Sequence, residues 1–251
     1  MCLILFAYKV SAKYPLVLAA NRDEFYNRPT ARMDWWERKE LLAGKDLKGG
    51  GTWLGLTQTG KFASLTNYRE GAQNDPDAPT RGTLALDYLQ NQEDVEAHFA
   101  KIAPKAFMYN GFNLLLGELE NLYYYSNRDR TGLNRVEPGI HGLSNHLMNT
   151  PWHKVAKGKK RLERIVGKRK IVNKEALFRM LKNRETAPDD SLPETGIPYI
   201  WEKRLSSMFI ESEIYGTRVS TVVMVDKEGN VEVEERAYYP KGEPVQFQFH
   251  I

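Results

Sequence analysis

Residues 1–25, MCLILFAYKVSAKYPLVLAANRDEF, decide the fold. Residues 2–9 and 16–20 are nearly continuous apolar runs separated by a short turn. Runs of this kind read as strands covered on both faces. Two antiparallel strands joined by a short turn bring the end of the second back beside the start of the first. Asn21-Arg22-Asp23-Glu24 is therefore expected next to Cys2, with the polar, aromatic-rich stretch 21–36 leaving the second strand as a loop.

Working outward, GGGTWLGL at 49–56 and residues 61–68 read as a hairpin around Thr59-Gly60. A long loop over 69–80 precedes helices at 82–90 and 93–103, the second stopped by Pro104. Strand character returns at 112–118 and 122–126. A helix is expected over 151–166, with Thr150 as N-cap and Pro151 in its first turn, and another over 174–182 capped by Asn173. Residues 183–198 read as a mobile excursion. A hairpin over 218–226 and 231–239 and a last strand at 245–250 complete the chain. Strands, two helices, strands, two helices, strands, mostly joined by tight hairpins, predict an α+β fold. Two mainly antiparallel sheets pack face to face with helix pairs outside, a four-layer αββα sandwich. No Pro/Gly/Ser linker divides the chain, so residues 1–251 are expected to form a single domain.

The composition narrows the function classes. Among 251 residues, 36 Lys+Arg face 32 Asp+Glu, and 41% are hydrophobic. An ordinary apolar share excludes disorder, and a net charge of +4 does not require nucleic acid. One cysteine makes neither an internal disulfide nor a Cys-based zinc site, and it suits a reducing compartment. Lys9 and Lys13 interrupt the first apolar run, and no other stretch reaches the roughly 18 residues of a membrane span. A cytoplasmic protein without a transmembrane segment is expected.

Cys2 is the candidate reactive group. If Met1 is removed, the thiol and the free α-amine sit on one carbon. An α-amine titrates near ~7.7–8.0 and can take the thiol proton, the logic of N-terminal nucleophile catalysis. Arg22 supplies the cation that a thiolate needs, and Asp23 a partner for the amine. The other reading of Cys2 is a small hydrophobe opening a buried strand.

LVLAANRDEFYNRP at 16–29, with the starting Met-Cys, resembles the NRDE family, which includes the transport and Golgi organisation protein 2 group. GGGTWLGL at 49–56, LTNY at 65–68, YNGFNLL at 109–115, HGLSN at 141–145, TPW at 150–152 and YGTR at 215–218 carry the same resemblance. That family is similar to N-terminal nucleophile hydrolases of the choloylglycine hydrolase and penicillin acylase type, with an αββα sandwich. The resemblance implies Cys2 as nucleophile and Arg22 and Asp23 beside it. It also implies Asn67 and Asn145 at the oxyanion and Arg218 as a late strand arginine. The activity implied is hydrolysis of a linear amide in a small-molecule substrate, with no required cofactor. The alternative is a non-catalytic protein on the same fold that binds and traffics haem or a lipid or acyl-CoA ligand.

Other patterns carry less. Nine basic residues lie between Lys154 and Lys170, read as a solvated helix face and its loop. No base-stacking aromatics are interleaved with them, so no nucleic-acid partner is expected. Trp35, Trp36, Trp53 and the 123–125 tyrosines read as core or pocket wall. His141 and His146 stand five apart with no carboxylate pair, so no metal site is read.

Overall fold

A computed structural model describes residues 2–36, 40–167 and 171–251. The two N-terminal apolar runs form β1 (Cys2–Tyr8) and β2 (Leu16–Phe25), followed by β3 (Thr30–Trp35), β4 (Leu41–Asp46), β5 (Leu54–Thr57) and β6 (Lys61–Asn67). Helices α1 (Gly82–Gln90) and α2 (Val95–Ile102) come next. Then follow β7 (Phe112–Glu118), β8 (Asn121–Ser126), β9 (Asn134–Arg135) and β10 (Gly139–Leu143). Helices α3 (His153–Val166), α4 (Lys174–Leu181) and α5 (Tyr199–Leu205) precede β11 (Tyr215–Val225), β12 (Asn230–Ala237) and β13 (Val245–His250).

The strands make two antiparallel sheets. One has the order β10-β1-β2-β11-β12-β13, the other β3-β4-β5-β6-β7-β8-β9. Side chains alternate across each strand, so β1 faces both ways. Ile4, Phe6 and Tyr8 point between the sheets and pack with Leu54, Leu56, Phe62 and Leu115. Leu3, Leu5 and Ala7 point outward beneath Val155 and Leu162 of α3 and Leu177 and Phe178 of α4. On the other sheet, Leu84, Ala85 and Tyr88 of α1 cover Ala63, Leu65 and Leu114. The result is the expected αββα sandwich, with β1 and β2 apolar on both faces because both faces are covered.

Several elements depart from the sequence reading. The polar run 21–25 is not a loop: β2 continues to Phe25, pairing with β1 on one side and β11 on the other. Low strand propensity is overridden because the Asn21, Arg22 and Asp23 side chains each find a tertiary partner. Residues 30–35 and 41–46 form a hairpin whose register shifts between Ala31 and Asp34. Thr150 does not cap α3; its hydroxyl meets the His146 ring at 2.8 Å, and Trp152 takes the cap position without a side-chain bond. Asn173 does cap α4, accepting from the Ala176 amide. A third helix, α5, joins the second helical group. The 183–198 segment is tied back to α5, since the Thr195 amide and hydroxyl both donate to Glu202. Of the basic run, Lys168, Arg169 and Lys170 lie outside the described residues, and Lys154 is not on a solvated face but 2% exposed. Among the described residues no helix is long and apolar enough to cross a membrane.

Candidate active site

Register places the reactive cysteine. Cys2 pairs with Arg22, so both share the face turned between the sheets, at the end where the strands open into a cleft. Asp23, one residue on, faces the opposite side of the same strand. The NRDE motif therefore divides its work by alternation. Asn21 donates to the Leu181 and Met208 carbonyls at 3.0 and 2.8 Å and accepts from the Ser220 hydroxyl, anchoring β2 to its outer cover. The Arg22 guanidinium lies over the Trp53 ring at 4.1 Å, 5% exposed. The Asp23 backbone amide donates to the Cys2 thiol. Its carboxylate accepts from the Thr217 hydroxyl at 2.6 Å.

Arg218 explains how Thr217 reaches Asp23. Thr217 pairs with Asp23 and Val219 with Arg22, so Arg218 is the extra residue of a β-bulge. Its guanidinium donates to the Tyr239, Phe25 and Arg28 carbonyls and to the Thr30 hydroxyl. Among the described residues that line the cleft Arg218 does not figure. It braces the turn after β2, and the positive charge of Arg22 reaches it after burial as the second cause holding its proton affinity down.

The cleft encloses about 910 Å³. Cys2, Arg22, Asp23, Trp53, Asn67, Tyr68, Trp201 and Tyr215 are among its described lining residues. Asn67 ends β6 and is among the described residues that line the cleft. Asn145, fully buried, donates from its amide to the Asn67 carbonyl at 3.0 Å. The neighbouring Ser144 hydroxyl donates to the Cys2 carbonyl at 3.1 Å. The cleft lining thus brings Cys2, Arg22, Asp23 and Asn67 together, whereas Asn145 and Arg218 are not among its described lining residues: Asn145 stands behind Asn67 and Arg218 behind the turn after β2.

Two groups escaped the sequence reading. Arg69 and Glu202 form an ion pair at 2.6 Å with both side chains 5% exposed. The Arg69 amide also donates to the Asn145 carbonyl at 2.8 Å, and its guanidinium covers the Trp152 ring. Arg69 directly follows LTNY, a usable signal; Glu202 sits in a helix the sequence did not announce. Lys154 is the other: its charge interacts with Asp23, Arg69, Cys2 and Glu202.

Burial dominates the electrostatics. It pushes the Cys2 thiol up, and Asp23 adds to the rise. It pushes the Asp23 carboxyl up against the pull of Lys154. It brings the Lys154 ammonium down to about 8, with Asp23 resisting. Tyr215 is held well above its ordinary value by the same desolvation and stays protonated. Among the described residues no group of three His, Cys, Asp or Glu side chains is placed to hold a metal ion.

Comparison with known proteins bears on the fold and the family. Penicillin V acylase from Agrobacterium tumefaciens superposes with a TM-score of 0.53 over 100% of this chain and 86% of its own, at 12% identity. The Caenorhabditis elegans ortholog of N-acylethanolamine-hydrolyzing acid amidase gives 0.52 over 88% of this chain and 92% of its own, at 13% identity. These likenesses show the fold, that of N-terminal nucleophile hydrolases. The mouse Transport and Golgi organization 2 homolog is 36% identical over 261 residues, covering 96% of this chain and 94% of its own. The family model for Transport and Golgi organisation 2 matches residues 1–240, so the chain belongs to that family.

Proposed function

We propose that the protein is a cysteine N-terminal nucleophile hydrolase acting on a linear amide of a small molecule. The observation that carries this reading is the Cys2–Arg22 register, which sets a thiol, a cation and the Asp23 amide at the end of one cleft. The fold neighbours support it: one is named an acylase, the other an N-acylethanolamine-hydrolyzing amidase. With Met1 removed, the α-amine of Cys2 takes the thiol proton and the sulfur attacks the carbonyl carbon. Asn67 donates to the oxyanion, and Asn145, which uses one amide hydrogen on the Asn67 carbonyl, offers its second. The C–N bond breaks as the leaving amine receives the proton. Water then hydrolyses the thioester, releasing the acid and restoring the thiol. Arg22 stabilises the thiolate, Asp23 holds the α-amine, and Arg218 keeps the turn after β2 in place.

Intact mass and a thiol-directed probe test this together. The reading expects mature protein lacking Met1, with Cys2 labelled faster at neutral pH in the folded state than after unfolding in urea. Protein that always keeps Met1, or labelling indifferent to folding, overturns it. Replacing Cys2 by Ala is expected to abolish turnover completely.

One observation favours a second reading, ligand binding without turnover. Burial raises the Cys2 thiol, as for an unreactive cysteine, while the cleft has room and aromatic walls for a flat or acyl ligand. For haem, Cys2, Tyr68 and Tyr215 are the described lining residues of types that ligate its iron. Saturable binding that survives in Cys2→Ala, with no hydrolysis by the wild type, is the result this reading expects.

A further inference from the structure

We propose that Lys154 is a positioning residue of the Cys2 site, an enclosed ammonium that keeps the Asp23 carboxylate ionised behind the thiol. This rests on the reading that Asp23 serves Cys2.

The placement comes from the helix. Lys154 stands in the first turn of α3, four residues before Gly158 and eight before Leu162, both buried against the outer face of the first sheet. It shares that inward stripe. A Cβ on Gly158 would lie 2.5 Å from the Leu5 side chain, so the helix presses close on β1. Lys154 is thereby carried to the outer face of the strands bearing Cys2 and Asp23, the face to which Asp23 turns. Its ammonium makes no hydrogen bond among the described residues. It borders a cavity of about 10 Å³ shared with Arg69, Glu202 and Leu205.

A buried ammonium demands a counter-charge. The charged and titratable groups around Lys154 are Asp23 on β2, Arg69 after β6, Glu202 on α5 and the adjoining His153 on α3, and the Cys2 thiol interacts with it from the other face of β1. Arg69 repels it. Glu202 is engaged by Arg69 and by both donors of Thr195. Asp23 is therefore the carboxylate that answers Lys154. The dependence runs both ways. Asp23 is 1% exposed, and burial alone favours its neutral acid. A neutral acid holds an ammonium weakly, whereas an ionised carboxylate holds it strongly. Lys154 thus acts on Cys2 through Asp23 and not by contact with substrate.

Carbon-13 NMR of the Asp23 carboxyl, assigned with Asp23→Asn, tests the proposal alongside the pH profile of Cys2 alkylation by iodoacetamide. Lys154→Met is expected to raise the Asp23 midpoint by about one pH unit or more, a tenfold change in proton affinity. The inflection in the alkylation profile should move up with it. Lys154→Arg keeps the charge and should leave the Asp23 midpoint in place. It should also erase the second inflection near pH 8 that Lys154 imposes on the Asp23 signal. An Asp23 midpoint unmoved in Lys154→Met, or an alkylation profile that does not follow it, overturns the proposal. If Lys154→Met does not fold, persistence of the inflection near pH 8 in Lys154→Arg overturns it. Amide turnover enters neither readout, so a failure of the hydrolase reading remains distinguishable.

Discussion

At the scale of the residue, the buried pair Arg69–Glu202 has the sharpest consequence. Both side chains are almost fully enclosed, and Arg69 also fixes the Asn145 carbonyl beside Cys2. Removing one partner leaves a charge in low dielectric, a loss of about 3–5 kcal/mol. Glu202→Gln should therefore lower the urea unfolding free energy by about that amount. Arg69→Met with Glu202→Leu should recover most of the loss, because the uncompensated charge is gone. A Glu202→Gln protein within about 0.5 kcal/mol of wild type would show that the pair is screened in solution. The sequence made part of this residue-level picture legible. Arg22 opposite Cys2 followed from the length of the first hairpin, because register in a tight pair is arithmetic. Lys154 did not follow from counting charges. Its four- and eight-residue spacing to Gly158 and Leu162 marks an inward stripe, but the eight other basic residues around it make the segment read as a solvated face. Asn145 was identified by motif, but its tie to the Asn67 carbonyl depends on a contact across 78 positions, which local pattern does not encode.

At the scale of the element, strong local signals survived and tertiary ones did not. Helix α1 and strands β7 and β13 end where the sequence places them, since apolar periodicity and turn residues bound them tightly. The length of β2 was missed because the partners that satisfy its polar end come from β11 and the helical cover. Helix α5 was missed because its seven residues offer few buried positions, Glu202 and Leu205. The glycine-rich segment before β5 shows how closely elements fit at the cleft. A Cβ on Gly51 would meet the Gly82 carbonyl carbon at 2.2 Å and its oxygen at 2.4 Å. Backbone cannot swing aside as a side-chain tip can, so α1 must lift from the sheet. Gly51→Ala should cost about 1–3 kcal/mol, as overpacking does. For a chain of this size that is a fall in Tm of roughly 2–12 °C. Because Thr52 and Trp53 line the cleft next door, the intrinsic tryptophan emission should shift in the folded variant. An unchanged Tm would mean that α1 is not seated on Gly51.

At the scale of the whole molecule, the αββα architecture explains why so many titrating groups are buried at one place. The inter-sheet core ends at the cleft, while the outer face of the first sheet is sealed by α3 and α4. Cys2 and Arg22 face the first space; Asp23 faces the second, where Lys154 is enclosed. Burial there has a signature in global stability. An unfolded lysine titrates at its ordinary 10.5, and folding brings Lys154 to about 8. Between those values the unfolded chain binds more protons than the folded one, so stability rises with pH. The contribution is smallest below pH 8, where the ammonium is charged in both states and penalised by burial. It grows through the window by on the order of 1 kcal/mol for each pH unit. Cys2 and Tyr215 are shifted upward and act in the opposite sense at high pH, so the wild-type curve alone does not isolate the lysine. The difference in unfolding free energy between wild type and Lys154→Met removes the part of those contributions that does not depend on the lysine charge. That difference should climb in favour of the wild type from pH 8 to pH 10 and stay level from pH 6 to pH 7.5. Urea titrations at five pH values measure it. A difference that stays level across both ranges means that Lys154 titrates as a solvated lysine, and the enclosed Asp23–Lys154 arrangement would then have to be abandoned.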